Sequence, residues 1–63
     1  MEKLIKFRKK KNLSVKEIHN QIGVSRSYYE KIEYGQRKAG NGFISKMLKA
    51  FPEDRAKILK IFF

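Results

Sequence analysis

The 63-residue sequence has no cysteine, no tryptophan, one histidine and one proline. Without cysteine there is no disulfide and no thiolate ligand set to staple so short a chain. One histidine is too few for an ordinary zinc site, so no metal or other cofactor is expected. No apolar run approaches the roughly 20 residues that a bilayer span requires. The opening stretch Met1-Glu2-Lys3-Leu4-Ile5-Lys6 lacks the apolar region of a signal peptide. The expected location is therefore the cytoplasm, whose reducing conditions suit a cysteine-free chain. The materials of catalysis are missing as well. There is no cysteine nucleophile, no paired carboxylates at a plausible site and no glycine-rich phosphate loop. Neither an enzyme nor a small-molecule substrate is expected.

Acidic residues are also scarce. Six Asp and Glu face sixteen Lys and Arg, a formal net charge of +10. Charge of one sign at this density opposes compaction by self-repulsion. It suits a polyanionic partner such as duplex DNA, RNA or an anionic membrane surface. The isoelectric point near 10.2 lies in the range typical of nucleic-acid-binding domains, above about 9. A single domain spanning residues 1–63 is expected, and one this small buries only about 60% of its unfolded surface. Its stability must come from apolar packing. The supply is adequate, with 41% hydrophobic residues, including five phenylalanines and three tyrosines.

Asn12, Gly23, Gly35, the Gly40-Asn41-Gly42 cluster and Pro52 divide the chain into five short segments. Each has helical rather than alternating spacing of its apolar residues. The first, Glu2 to Lys11, sets Leu4 and Phe7 on one face. The second opens on Ser14-Val15-Lys16-Glu17, a capping box in which hydroxyl and carboxylate reciprocally satisfy backbone N–H groups. Its stripe is Val15, Ile18, His19 and Ile22, and Gly23 is a natural left-handed stop. The third starts at the N-cap Ser25, with Val24 and Tyr29 able to form a hydrophobic staple, and turns Tyr29 and Ile32 inward. The fourth, from about Gly42 to Ala50, carries Phe43, Ile44, Met47, Leu48 and Phe51. Pro52 ends it and suits the first turn of a fifth. Glu53 and Asp54 complement the positive start of that last helix, and Lys60 its end. The expected fold is all-α, a compact bundle of about five short helices.

The segments around Gly23 form the central unit, about residues 14–34. Two helices joined by a three-residue turn that opens on glycine are the signature of a helix-turn-helix. In that motif the first helix crosses the DNA backbone and the second places its N-terminal side chains in the major groove.

From Leu4 to Gly35-Gln36-Arg37 the sequence resembles the Cro/CI-type, lambda-repressor-like helix-turn-helix family. The matching stretches are Phe7-Arg8-Lys9, Leu13-Ser14, Ile22-Gly23-Val24-Ser25-Arg26-Ser27-Tyr28 and Ile32-Glu33-Tyr34-Gly35-Gln36-Arg37. The departures are specific. Val15 stands where the family often has a DNA-contacting Gln, and His19 where it has a small Ala. Tyr29 replaces an aliphatic residue, and Ala39-Gly40 replaces a Pro-Ser pair. The resemblance also implies that Arg8 pairs with Glu33, locking the first helix to the third. For His19, a packed structural role is favoured over a sensor role.

Site residues follow from the motif. Arg26, Ser27, Tyr28 and Lys31 are the expected base contacts, with Arg26 suited to guanine O6 and N7. Tyr28 can instead pack inward, and Glu30 either accepts from cytosine or faces solvent. Phosphate contacts are expected at Val15, Lys16, Ser25, Gln36, Arg37 and Lys38, because a helix N-terminus and a polar loop present donors there. Lys9, Lys10 and Lys11 suit a helix C-terminus and, alternatively, a phosphate. At the end of the chain Ile58, Leu59, Phe62 and Phe63 either close the core or contact a second copy.

The expected function is a sequence-specific duplex-DNA-binding regulator of the phage-repressor or Cro-like kind, acting as a homodimer on the nucleoid. A helix-turn-helix protein-interaction module, antitoxin-like or anti-repressor, is the alternative. A membrane-surface peptide fits least, since the apolar residues are spread over several short helices.

Overall fold

A computed structural model describes residues 1–63. Five α-helices follow one another: α1 (Glu2–Lys10), α2 (Val15–Ile22), α3 (Arg26–Glu33), α4 (Asn41–Ala50) and α5 (Arg55–Phe62), with a 3-10 turn at Pro52–Asp54 before α5. There is no strand. The core draws on every helix. Leu4 and Phe7 come from α1, Ile18 and Ile22 from α2, and Tyr29 and Ile32 from α3. Phe43 and Met47 come from α4, Phe51 from its end and Ile58 from α5.

The caps set the boundaries. Ser14 Oγ accepts from the Glu17 N–H at 3.0 Å, and Glu17 Oε1 accepts from the Ser14 N–H at 2.8 Å. Ser25 Oγ accepts from the Tyr28 N–H at 3.1 Å. Gly23 takes a left-handed φ of 77°, and both its N–H and that of Val24 donate to the His19 carbonyl. The His19 ring adds a third tie, with Nδ1 3.0 Å from the Val24 carbonyl oxygen. His19 thus holds the first two residues of the turn between α2 and α3. Gly35 closes α3 in a Schellman pattern, its N–H donating to Ile32 and that of Gln36 to Lys31.

Phe43 is the aromatic hub. Tyr28, Tyr29 and Phe62 lie around it at centroid distances of 5.9, 6.1 and 6.0 Å. Phe7 meets Phe51 edge to face at 5.5 Å. The Lys11 ammonium sits over both of those rings and donates to Asp54 at 2.6 Å and Glu53 at 3.4 Å. This ties the end of α1 to the 3-10 turn. It also withdraws Lys11 from the basic run otherwise open to a phosphate.

Two expectations need correction. Pro52 does not lead straight into the last helix, because the Asp54 N–H bonds back to Phe51 and the α-helix starts only at Arg55. Ile58, for which core closure and a dimer contact are both open in sequence, has no exposed surface, which excludes the dimer contact. It is the inward anchor of α5, so a partner cannot reach it. Phe62 is half-buried against Phe43, and Leu59 is half-buried too. Of the four, Phe63 alone stands largely in solvent, at 83% exposure.

Candidate nucleic-acid interface

The inner side of α3 is fully committed. Tyr29, Ile32 and Glu33 are buried. Arg8 Nε donates to Glu33 Oε2 at 2.8 Å, its Nη2 to Oε1 at 3.2 Å, and the Tyr29 hydroxyl to Oε2 at 2.7 Å. Burial alone would raise the Glu33 carboxyl, but the hydrogen bonds from Arg8 and Tyr29 outweigh it and hold its pKa below the ordinary value. The carboxylate in turn raises Arg8 by hydrogen bonding. Desolvation, then the Glu33 hydrogen bond, drives the Tyr29 phenol far above its usual range. All three therefore keep one charge state across physiological pH. A remaining Arg8 nitrogen donates to the Leu13 carbonyl at 3.1 Å, fixing the loop into α2.

The outer side of α3 is open. Arg26, Ser27 and Lys31 are exposed. Arg26 Nε lies 3.4 Å from Glu30 Oε2, one helical turn on. An exposed pair of this kind contributes only about 0–1 kcal/mol, so Arg26 exchanges it readily for a stronger acceptor. Tyr28 is half-buried, with its ring between Phe43 and the guanidinium of Arg37, which stacks 4.8 Å from the centroid. Of the four residues expected at base edges, three are exposed and Tyr28 instead braces Arg37.

The expected phosphate groups fall into two sets. At the start of α2, Ser14 and Glu17 satisfy each other, which leaves the N–H groups of Val15 and Lys16 without intrahelical acceptors. Ser25 and Arg37 instead belong to an open depression of about 560 Å³. Its other walls are Gly23, Val24 and Tyr28 on one side and Gly42, Phe43 and Lys46 on the other. No carboxylate lines it. Gln36 and Lys38 are exposed in the adjoining loop.

Two contributors escaped the sequence reading. α4 starts at Asn41 with Gly40 as its cap and no side chain on its first N–H groups. Its positive end therefore opens beside the depression. Lys46, one turn further along, donates to the Gly23 carbonyl at 3.4 Å and adds a cation to the wall. The sequence points the other way for the first, because Asn41 is a favoured capping residue, yet the helix starts one residue earlier and takes Asn41 inside it. For Lys46 no local signal exists, because only the packing of α4 against α2 brings it there.

A two-helix unit with a glycine-opened turn, an anchored second helix and an uncovered basic face defines a helix-turn-helix domain. The helix-turn-helix family model matches residues 4–58, and the chain belongs to that Cro/CI-type family of DNA-binding regulators. The match runs well past Arg37, so α4 and the first half of α5 also conform to the family. No curated protein and no solved structure matches the chain significantly. No helix is long and apolar enough to cross a membrane.

Proposed function

We propose that the protein is a sequence-specific regulator of transcription that reads duplex DNA in the major groove with α3. The observation that carries this reading is the division of α3 into two sides. One side is bound into the core through Tyr29, Ile32 and Glu33, and the other leaves Arg26, Ser27 and Lys31 free. Arg26 reads guanine, and Ser27 and Lys31 extend the contact along the groove. The start of α2 at Val15 and Lys16 holds one phosphate. The depression between Ser25, Arg37 and Lys46 holds another across the groove, with Gln36 and Lys38 alongside. Repression follows by occupancy of the site, in the manner of a Cro-like protein on the nucleoid.

The protein acts as a homodimer, pairing through the outer parts of Leu59, Phe62 and Phe63. Two copies would read half-sites about 10 base pairs apart or a multiple of that.

Selection of bound duplexes from a random pool tests the reading, followed by titration of the selected duplex at two salt concentrations. An inverted repeat bound far more tightly than random DNA is the expected result. Weak binding with a steep salt dependence and no enriched sequence would reduce the interaction to generic charge.

A further inference from the structure

The surface carries a second concentration of charge, away from α3. The helices α1 and α5 contain the same pattern, Lys3-Leu4-Ile5-Lys6-Phe7 and Lys57-Ile58-Leu59-Lys60-Ile61. In each, the second residue is wholly buried. Helical geometry then turns the first, fourth and fifth residues to a common flank. In the fold these two flanks face one another. Lys3, Lys6, Phe7 and Lys10 of α1 and Lys57, Lys60 and Ile61 of α5 line one open groove of about 380 Å³.

No carboxylate lines this groove. Lys3, Lys6, Lys10 and Lys60 form no ion pair. Lys57 reaches only Asp54, at 3.9 Å, and that carboxylate is already held by Lys11 at 2.6 Å. Lysines gathered in this way repel one another, and an anionic occupant relieves the repulsion. Half-buried Ile61, beside the small exposed edge of the otherwise buried Phe7, gives the groove an apolar component that ammonium groups alone lack.

The chemistry of the lining selects among occupants. A second copy of the chain has few carboxylates to offer this groove, because Glu17, Glu30, Glu33, Glu53 and Asp54 are already hydrogen-bonded within each chain. A nucleic-acid backbone answers the ammonium groups but offers nothing to Ile61. A peptide segment with carboxylates around an apolar side chain answers both. We propose that the groove between α1 and α5 docks an acidic, amphipathic segment of a partner protein. Its carboxylates lie against the lysines and one apolar side chain rests on Ile61.

The groove shares no residue with the outer side of α3. On α1, Lys6 lies about 160° around the helix from Arg8, the residue that reaches α3. The partner therefore binds whether or not α3 is occupied, and the inference does not depend on the DNA reading.

The test is an NMR titration of the isotope-labelled full chain with a synthetic helix-forming peptide of about 15 residues, rich in Glu and with Leu and Phe on one face. Polyglutamate of equal length and a random-sequence duplex serve as comparison probes. The expected result is saturable shifts at Lys3, Lys6, Phe7, Lys10, Lys60 and Ile61, with weaker binding of polyglutamate. The double variant K6E/K60E, checked for folding by circular dichroism, should lose at least about tenfold in peptide affinity. K6Q/K60Q should lose less, and K6R/K60R should bind as the parent does. Absence of saturable shifts, shifts confined to other helices, or unchanged binding by K6E/K60E overturns the proposal. So does polyglutamate binding as tightly as the peptide. Saturable shifts at the same residues with the random duplex would make nucleic acid the occupant and overturn it equally.

Discussion

The Tyr29 hydroxyl and the Arg8 guanidinium converge on one carboxylate oxygen of Glu33, at 2.7 and 2.8 Å. Arg8 belongs to α1, while Tyr29 and Glu33 belong to α3. The orientation of α3 is therefore set by one carboxylate, whose charge Arg8 neutralises and to which Tyr29 donates. Removing one member leaves the others buried and unmatched. Arg8→Ala should cost about 3–5 kcal/mol, the usual penalty for breaking a buried pair from one side. At about 0.05–0.15 kcal/mol per residue, that is a large share of what a chain this size possesses. Tyr29→Phe should cost about 1.5–3 kcal/mol, the range for a hydrogen bond to a charged group. Urea denaturation followed by circular dichroism measures both. A fully folded Arg8→Ala that has merely lost DNA binding would show that Arg8 acts at the interface instead.

Acid should unfold the protein from a defined set of carboxylates. The Glu33 carboxyl is pushed up by burial and, more strongly in sum, down by Arg8 and Tyr29. Asp54 is lowered by its hydrogen bond from Lys11, and Glu17 by those from Ser14. Each group has a lower pKa folded than unfolded, so in acid the unfolded chain binds more protons and stability rises with pH. The contribution is complete above the ordinary carboxylate values of about 3.9–4.3 and disappears as pH falls through the depressed native ones. Urea midpoints should be nearly equal at about pH 7 and pH 5.5 and distinctly lower at about pH 3. A midpoint already falling between the two higher values would point to a different titrating group.

Two glycines should respond to alanine with opposite signs. Gly23 has φ +77° with open space where a Cβ would stand. Gly23→Ala should therefore cost about 1–2 kcal/mol through the left-handed backbone alone. Gly42 lies within α4, also with open space around it. Gly42→Ala should stabilise by about 0.5–1 kcal/mol through helix propensity. Thermal melts of the two variants decide the matter. A destabilised Gly42→Ala would mean that α4 does not start where described.

Two cations on the proposed interface should fail in different ways. Arg26→Ala should lose about 1–3 kcal/mol on the selected operator and relax preference at one base pair. Lys46→Ala should weaken all duplexes about equally and reduce the salt slope by about one unit. Binding isotherms across single-base operator variants and several salt concentrations separate the two behaviours. Uniform weakening by Arg26→Ala would reassign it to a phosphate.

Local chemistry made much of this architecture readable in the sequence. Ser14 with Glu17, Gly23, Ser25 and Gly35 each act within a few residues, so they mark α2, the turn and α3 directly. The pairing of Arg8 with Glu33 spans 25 positions, and family resemblance rather than spacing suggested it. Contacts set only by packing stayed hidden. Lys11 meets Asp54 across 43 positions and reads in sequence as one more lysine at a helix end. Lys46 reaches Gly23 only because α4 crosses α2. Tyr28 is open in sequence to either bases or inward packing, but its partners Phe43 and Arg37 are not readable there. The tail is open in sequence between closing the core and meeting a second copy, and only the fold separates the buried Ile58 from the exposed Phe63.

The two-sided construction of α3 bears on how such a protein can diverge. Tyr29, Ile32 and Glu33 maintain the helix's position, while Arg26, Ser27 and Lys31 contribute little to holding the domain together. If the outer residues read DNA as proposed, exchanging them redirects the protein to a new target sequence without a folding penalty. A designer, or a duplicated gene, could therefore obtain a family of regulators with distinct addresses from one unchanged chassis.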